Sequence, residues 1–434
     1  MTYEYHSICY EVQIRSLRFI EGHARLILRC VNGLYKAEFY PTEGPRFIPL
    51  ALKGKNPLDA PLVSSRICGI CFSAHALASV RAIEKAYNYT PSQALEFFRL
   101  IVFLLNHIQS NVMHLTLLSI PPLLGYYDNA KFRYNRIYKL GMTIAGRVTS
   151  AIERLGKTTF HTPLFTPFGI GLNINGREVY NVIRELIEPL LRDVDEYVTR
   201  ILSVEVPIFT RIRPILTLNT KNYPKYEGTS NLIYVDMDGE KEIISSKNLL
   251  DDMICKRRDE ATGLQVRLRG LDVMVGALPR ILVHKDKLHS EAKEKATLVN
   301  WGYNPFLNNY AQAVELISDI YEVIDLANEI KDYTIEGEEN IPYIDYGTGV
   351  SVVEAPRGVL VHYVEIEKNK ISKYKVVTPT AINAHSIERD AEELANKLSI
   401  LGREKLKNLI EDLIRAYDPC MSCSVALDSY SNSK

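Results

Sequence analysis

Arg66-Ile-Cys-Gly-Ile-Cys-Phe-Ser-Ala-His75 and Asp418-Pro-Cys-Met-Ser-Cys423 decide how this chain is read. Each stretch carries a Cys-x-x-Cys, and the two pairs lie near opposite ends of 434 residues. The spacing lets two sulfurs of a pair point at one metal. Each pair also sits at a helix or turn boundary, where backbone N–H groups favour the thiolate, the form that binds metal. Brought together, Cys68, Cys71, Cys420 and Cys423 offer the donor set of a four-cysteine structural zinc site. Such sites usually staple a short module with tens of residues between pairs, whereas roughly 350 residues intervene here. Neither pair sits in the strand-to-helix setting of a thioredoxin-like redox dithiol.

The rest of the chain bounds the possibilities. Apolar residues make up 46% and charged residues 24%, an ordinary globular composition. Lys plus Arg and Asp plus Glu both number 52, so the formal net charge is zero and nothing draws the chain toward nucleic acid. Seven cysteines, an odd and sparse set, argue against a disulfide framework, and Cys9, Cys30 and Cys255 stand isolated. Such scattered thiols are too few to hold an iron–sulfur cluster. The N-terminus lacks the basic stretch and apolar run of a secretory signal, and a cytoplasmic location is expected. The longest apolar region, 97–105, is broken by Arg99 and followed by Asn106 and His107. It reads as a buried helix, too short and too polar to cross a bilayer.

Periodicity supplies the fold class. From Ala74 onward, apolar residues recur at three- and four-residue spacing. Helices are expected at 75–87, 92–119, 132–155, 177–202, 310–332, 386–398 and 402–417, with Pro121-Pro122 ending the second. Alternating stretches at 7–14 and 24–31 predict short strands, and 207–218, 232–244 and 350–378 look strand-rich. The expected architecture is α+β, mainly α, with a core bundle of long helices and small β-sheets at the periphery. No repeat, low-complexity tract or linker divides the chain, so residues 1–434 read as one domain ending in a polar tail over 427–434. Gly169, Gly171 and Gly176 do not complete a Gly-x-Gly-x-x-Gly, so no dinucleotide site is read.

Taken singly, the other candidates have ordinary explanations. Glu21 in Phe19-Ile-Glu-Gly-His23 reads as a surface carboxylate before a strand, and Arg357 in Ala355-Pro-Arg-Gly358 as a solvated loop arginine. His75 and His114 read as packed core histidines. Taken with the cysteines they form a pattern. Arg-Ile-Cys-Gly-Ile-Cys-x-x-x-His near one end and Asp-Pro-Cys-x-x-Cys near the other closely resemble the two signature motifs of nickel–iron hydrogenase large subunits. The likeness runs nearly end to end and implies that family's fold. It is greatest to the cytoplasmic branch, through Ile108-Gln-Ser-Asn-Val-Met-His114, although Asn111 stands where that branch usually has His.

By that resemblance, Cys68 and Cys420 would be terminal nickel ligands, and Cys71 and Cys423 would bridge nickel to an iron carrying one carbon monoxide and two cyanides. Soft thiolates suit both metals. Glu21 would relay protons from the Cys420 thiolate. Arg357, following Pro356, would hang a guanidinium over the metal pair. Thr380 in Pro379-Thr-Ala-Ile-Asn383 would hydrogen-bond a cyanide, Asp418 would pair with Arg357, and His75 would donate toward a bridging sulfur. The implied activity is reversible heterolytic cleavage of H2. Electrons would leave through an iron–sulfur small subunit and further electron-transfer subunits.

Several positions depart from the family. Phe19 stands where an arginine is usual. Pro49, in Pro45-Arg-Phe-Ile-Pro-Leu-Ala-Leu-Lys-Gly54, stands where many relatives carry a glutamate. Ala426 stands where they carry the histidine or arginine that precedes the maturation cut. In those relatives the glutamate and the C-terminal histidine help to bind an accessory magnesium or iron ion. A hard divalent ion left without both has too few donors. The accessory metal is therefore expected to be absent, and processing altered or unnecessary. Two other readings stay open: a hydrogenase-derived structural or electron-transfer subunit of a larger redox complex without H2 turnover, and a zinc-stapled protein without catalysis.

Overall fold

The computed structural model describes residues 11–156, 165–225, 231–340 and 342–424. Cys9, Ala426 and the 427–434 tail lie outside them. The long helices are α1 (Phe72–Ala86), α2 (Gln93–Met113), α3 (Arg136–Gly156), α4 (Gly176–Leu186), α5 (Leu191–Leu202), α6 (Asn308–Ile330), α7 (Pro379–Leu398) and α8 (Arg403–Ala416). Helix α2 is the axis of the bundle. Ser92 caps it by accepting the Leu95 N–H, and nearly every side chain from Phe98 to Val112 is buried. Helices α6 and α3 pack along it. Arg99, the charge inside its apolar stretch, is fully buried and makes two bonds to Glu84 of α1, at 2.7 and 3.0 Å. The α+β, mainly α expectation therefore holds.

The sheets are small, antiparallel and peripheral, as expected. The first joins β1 (Val12–Ile14), β2 (Ala24–Val31) and β3 (Leu34–Pro41). The second joins β4 (Ile215–Leu218), β5 (Asn231–Val235) and β6 (Lys241–Ser245), so that only the end of the 207–218 stretch is a strand. The third joins β7 (Tyr346–Ala355), β8 (Gly358–Glu367) and β9 (Lys370–Val377), and α1 lies against it.

Four expectations need correction. The 177–202 helix is broken by a 3-10 turn at Glu188–Leu190, because Pro189 cannot donate to the helical ladder and clashes with the preceding turn. Pro121-Pro122 does not stop the helix at Ser119. A π-turn at His114–Ser119 resets the bonding, and the prolines open a last helical turn, where a missing N–H is tolerated. The run Gln93–Leu123 is thereby long and apolar enough to cross a membrane, with mean hydropathy 1.3, but 83% of its most apolar window is buried inside the protein. Cys30 does not stand alone; it is disulfide-bonded.

Two features of the third sheet place the functional residues. Ala355 pairs with Gly358, so Pro356 and Arg357 form the tip of the β7–β8 hairpin. Gly358 has φ 120°, and a Cβ there would sit 2.6 Å from the Gly276 nitrogen. Only glycine lets the tip settle on that backbone. Behind the tip, Arg280 donates to both carboxylate oxygens of Glu315 (2.6 and 2.8 Å), to Glu354 (3.0 Å) and to the carbonyls of Ala355 (3.2 Å) and Pro356 (3.3 Å). Lys225 completes the group, 3.2 Å from Glu315 and 2.7 Å from Asp319. All these side chains are almost wholly buried, and burial pushes the Asp319 carboxyl up to about 6.

Candidate metal centre

The two cysteine pairs meet. Cys71 immediately precedes the first turn of α1, and Cys68, three residues earlier, accepts the Ile70 N–H at 3.3 Å. Cys420 and Cys423 come from the strip that follows α8, in which residues 413–424 are buried throughout. The sulfurs of Cys68 and Cys420 lie 3.3 Å apart, those of Cys71 and Cys423 3.4 Å, and those of Cys420 and Cys423 2.8 Å. All four fall within 4.8 Å of one another.

Such crowding has a charge consequence. Burial pushes the Cys420 and Cys423 thiols well up, while hydrogen bonds from its sulfur neighbours, Cys420 first, draw Cys71 well down. Four thiolates this close cannot coexist unless a cation neutralises them, and a soft divalent metal suits an all-sulfur donor set.

The surroundings fit more than a bare ion. Cys71, Cys420 and Cys423 share a small cavity with His75, Pro356, Arg357 and Thr380. Arg357 Nη2 lies 3.0 Å from Asp418 Oδ1, and Nη1 donates to Ser110 at 3.3 Å. Its Nε is buried without a protein partner, a donor left for something in the cavity. Burial opposes the Arg357 charge, but Asp418 and the sulfurs of Cys420, Cys71 and Cys68 outweigh it. Thr380, in the first turn of α7, accepts the Cys420 N–H at 2.9 Å and keeps its own proton to give. The 386–398 helix starts at Pro379 because proline is preorganised for a first helical turn, and this is what brings Thr380 here. His75 Nε2 lies 3.4 Å from the Cys423 sulfur.

Asp418 has φ 49°, a left-handed conformation that aspartate tolerates better than most residues. Its other oxygen accepts Gln312 Nε2 at 3.0 Å, and Gln312 Oε1 is 2.6 Å from His114 Nδ1. His114 is thus more than a packing residue: it orients the amide that holds Asp418.

Glu21 is a half-buried carboxylate anchored to the second cysteine segment. Its backbone pairs with Cys420 in an isolated parallel bridge, and Met421 N–H donates to its carbonyl at 3.2 Å. Its side chain accepts the Ser422 N–H at 3.1 Å and the Ser422 hydroxyl at 2.5 Å. Ser422 in turn accepts from Arg46 at 3.0 Å, and Arg46 also donates to the carbonyls of Arg66 and Ile67. Arg46 therefore ties the two cysteine segments together. Neither residue stood out in the sequence, where Ser422 was only a spacer between cysteines. Phe19, at φ 60°, lies under the Arg415 guanidinium, 5.6 Å from ring to carbon.

A donor set made wholly of soft sulfur, closed off from water beside a guanidinium and a carboxylate, is a buried metal-binding site. Comparison with known proteins narrows the class: this chain belongs to the nickel-dependent hydrogenase family, as a large catalytic subunit acting on H2. The family's profile matches residues 46–123 and 306–426, the two segments that carry the cysteines. The chain is 31% identical over 408 residues to sulfhydrogenase 1 subunit alpha of Pyrococcus furiosus, covering 91% of this chain and 92% of that one. It is 30% identical over 426 residues to sulfhydrogenase 2 subunit alpha of the same organism, covering 95% and 98%. Its fold matches an NAD+-reducing nickel–iron hydrogenase in the H2-reduced state, with TM-score 0.78, 21% identity and coverage of 96% and 99%.

Proposed function

We propose that the four sulfurs hold a nickel–iron centre, with carbon monoxide and cyanide on the iron, and that the chain cleaves H2 heterolytically and reversibly. The observation that carries this reading is the set of four buried sulfurs within 4.8 Å beside an Arg357 Nε that has no protein partner. When bound, the centre would supply the electron-rich site at which H2 is polarised. The residues do the rest. Cys68, Cys71, Cys420 and Cys423 would hold the two metals through their sulfurs, Cys68 and Cys420 toward the nickel. Arg357, kept charged by Asp418, holds positive charge over the cavity. The Thr380 hydroxyl, with its proton free, would donate to a cyanide there. The Cys420 sulfur takes the proton, and Glu21, fixed to the same strip by Ser422, carries it outward.

Residues 1–434 act as one large-subunit domain, with a cytoplasmic location. Electrons go to an iron–sulfur small subunit and onward through further electron-transfer subunits, in keeping with relatives named as alpha subunits. The accessory magnesium or iron site is absent, and C-terminal processing is altered or unnecessary. Infrared spectroscopy of the purified complex, with metal quantification, tests the central reading. Carbonyl and cyanide stretches with stoichiometric nickel are expected. Zinc alone, or no nickel and no diatomic bands, overturns it.

A further inference from the structure

Behind Cys423 a line of buried polar groups runs away from the cavity. His75 Nε2 lies 3.4 Å from the Cys423 sulfur. His75 Nδ1 lies 3.1 Å from His362 Nε2, and His362 Nδ1 lies 2.7 Å from the Tyr374 hydroxyl. The three side chains are 1%, 0% and 2% exposed, so water does not compete for these bonds. They come from α1, β8 and β9. His362 faces Val376 across the sheet, and Tyr374, two residues from Val376, shares its face as a diagonal neighbour.

The sulfur end sets the direction of the whole line. A metal-bound thiolate only accepts, so His75 Nε2 must donate. A neutral imidazole has one donor and one acceptor nitrogen, so His75 Nδ1 accepts and His362 Nε2 donates. By the same rule His362 Nδ1 accepts, and Tyr374 must donate. The local environment agrees. Burial, helped by the nearby His75 ring, holds His362 well below the usual histidine range and keeps it neutral. Burial pushes the Tyr374 phenol up against the smaller opposing effect of the Ser79 and Ser64 hydroxyls, so it keeps its proton.

We infer that Tyr374 and His362 are positioning residues that lock His75 in the tautomer presenting an N–H to the Cys423 sulfur. This rests on the reading of Cys423 as a metal ligand. The N–H draws electron density from the sulfur, and so from the metal that the sulfur holds. Without the Tyr374 hydroxyl, His362 is free to turn to its other tautomer. In that tautomer its Nε2 accepts and competes with the Cys423 sulfur for the single His75 proton, so the N–H···S contact and the withdrawal it provides are weakened.

The test uses the purified complex and its infrared bands. In Tyr374→Phe and His362→Leu the carbonyl and cyanide stretches should move together to lower wavenumber, with nickel content unchanged and turnover down by about ten- to a hundred-fold. His362→Gln keeps an acceptor toward Tyr374 and a donor toward His75, so its bands should stay near the wild-type positions. Wild-type bands in Tyr374→Phe and His362→Leu overturn the inference and leave the nickel–iron reading intact. Absent bands in the wild type overturn both. Neutron diffraction from the deuterium-exchanged wild-type complex needs no variant. Deuterium on His75 Nε2, His362 Nε2 and the Tyr374 oxygen is expected, and deuterium on His75 Nδ1 sinks the proposal.

Discussion

Arg357 and Asp418 form an ion pair at 3.0 Å with both side chains nearly sealed from solvent, although they lie 61 positions apart in the sequence and on different elements. A buried pair of this kind is sensitive to one-sided change, because the surviving charge is left without a partner. Arginine also spans Asp418 and Ser110 at once, which lysine's single ammonium does not reproduce. Arg357→Lys should lower H2 turnover by about 10²–10³-fold while nickel content stays at the wild-type level. Turnover at the wild-type rate would remove Arg357 from the machinery.

Glu21→Gln keeps a side chain able to bond Ser422 but removes the carboxylate proposed to carry a proton. Turnover should fall by about 10²–10⁴-fold, with infrared bands and nickel content unchanged. Ser422→Ala leaves the carboxylate but releases its anchor, so its loss should be smaller. Rates that rank the other way round would show that Ser422, and not Glu21, matters for proton movement.

Asp319 gives a stability prediction with a definite sign. Burial raises its carboxyl to about 6 in the folded protein, from 3.8 in the unfolded chain. A raised folded value means the stabilisation is complete below 3.8 and is lost as pH rises through about 6. The wild-type melting temperature should therefore drop between pH 4 and 7 relative to Asp319→Asn, which has no carboxyl to ionise. Parallel melting curves for the two proteins across that range would refute the assignment.

The accessory ion is open to direct measurement. Pro49 opens the short helix Ile48–Ala51 and is buried, with no side-chain oxygen to offer a metal. Metal analysis of the complex should find no stoichiometric magnesium beyond the nickel and iron, and chelator treatment should leave H2 turnover unchanged. Stoichiometric magnesium that chelation removes together with activity would restore the accessory site.

The cage was legible in the sequence because each half is a contiguous string. Cys68, Cys71 and His75 fall within eight residues, and Asp418, Cys420 and Cys423 within six, so local spacing already carried the geometry. Glu21, Arg357 and Thr380 were legible only as members of the whole set. What the sequence hid is long-range pairing. His362 meets His75 across 287 positions, and nothing near either residue announces it. Lys225, Arg280, Glu315 and Asp319 look like solvated charges on paper, yet they are buried because each finds an opposite charge from another segment. The π-turn at His114–Ser119 leaves no periodic mark that separates it from an α-helix. The break at Pro189 was readable in advance, since a proline in a helix interior removes a ladder hydrogen bond and clashes with the preceding turn.

The burial of residues 413–424 constrains the order of events in the cell. Translation delivers Cys68 and Cys71 long before Cys420 and Cys423, so for most of synthesis half of the thiol set exists without its counterpart. Once the second half is seated against Glu21 and Arg46, all four sulfurs of the set are buried. Metals bound there would have to be delivered to an open form of the chain, and the seating of this strip would trap them. The same strip that supplies half the ligands acts as the door of the site, and it has to close after its contents have arrived.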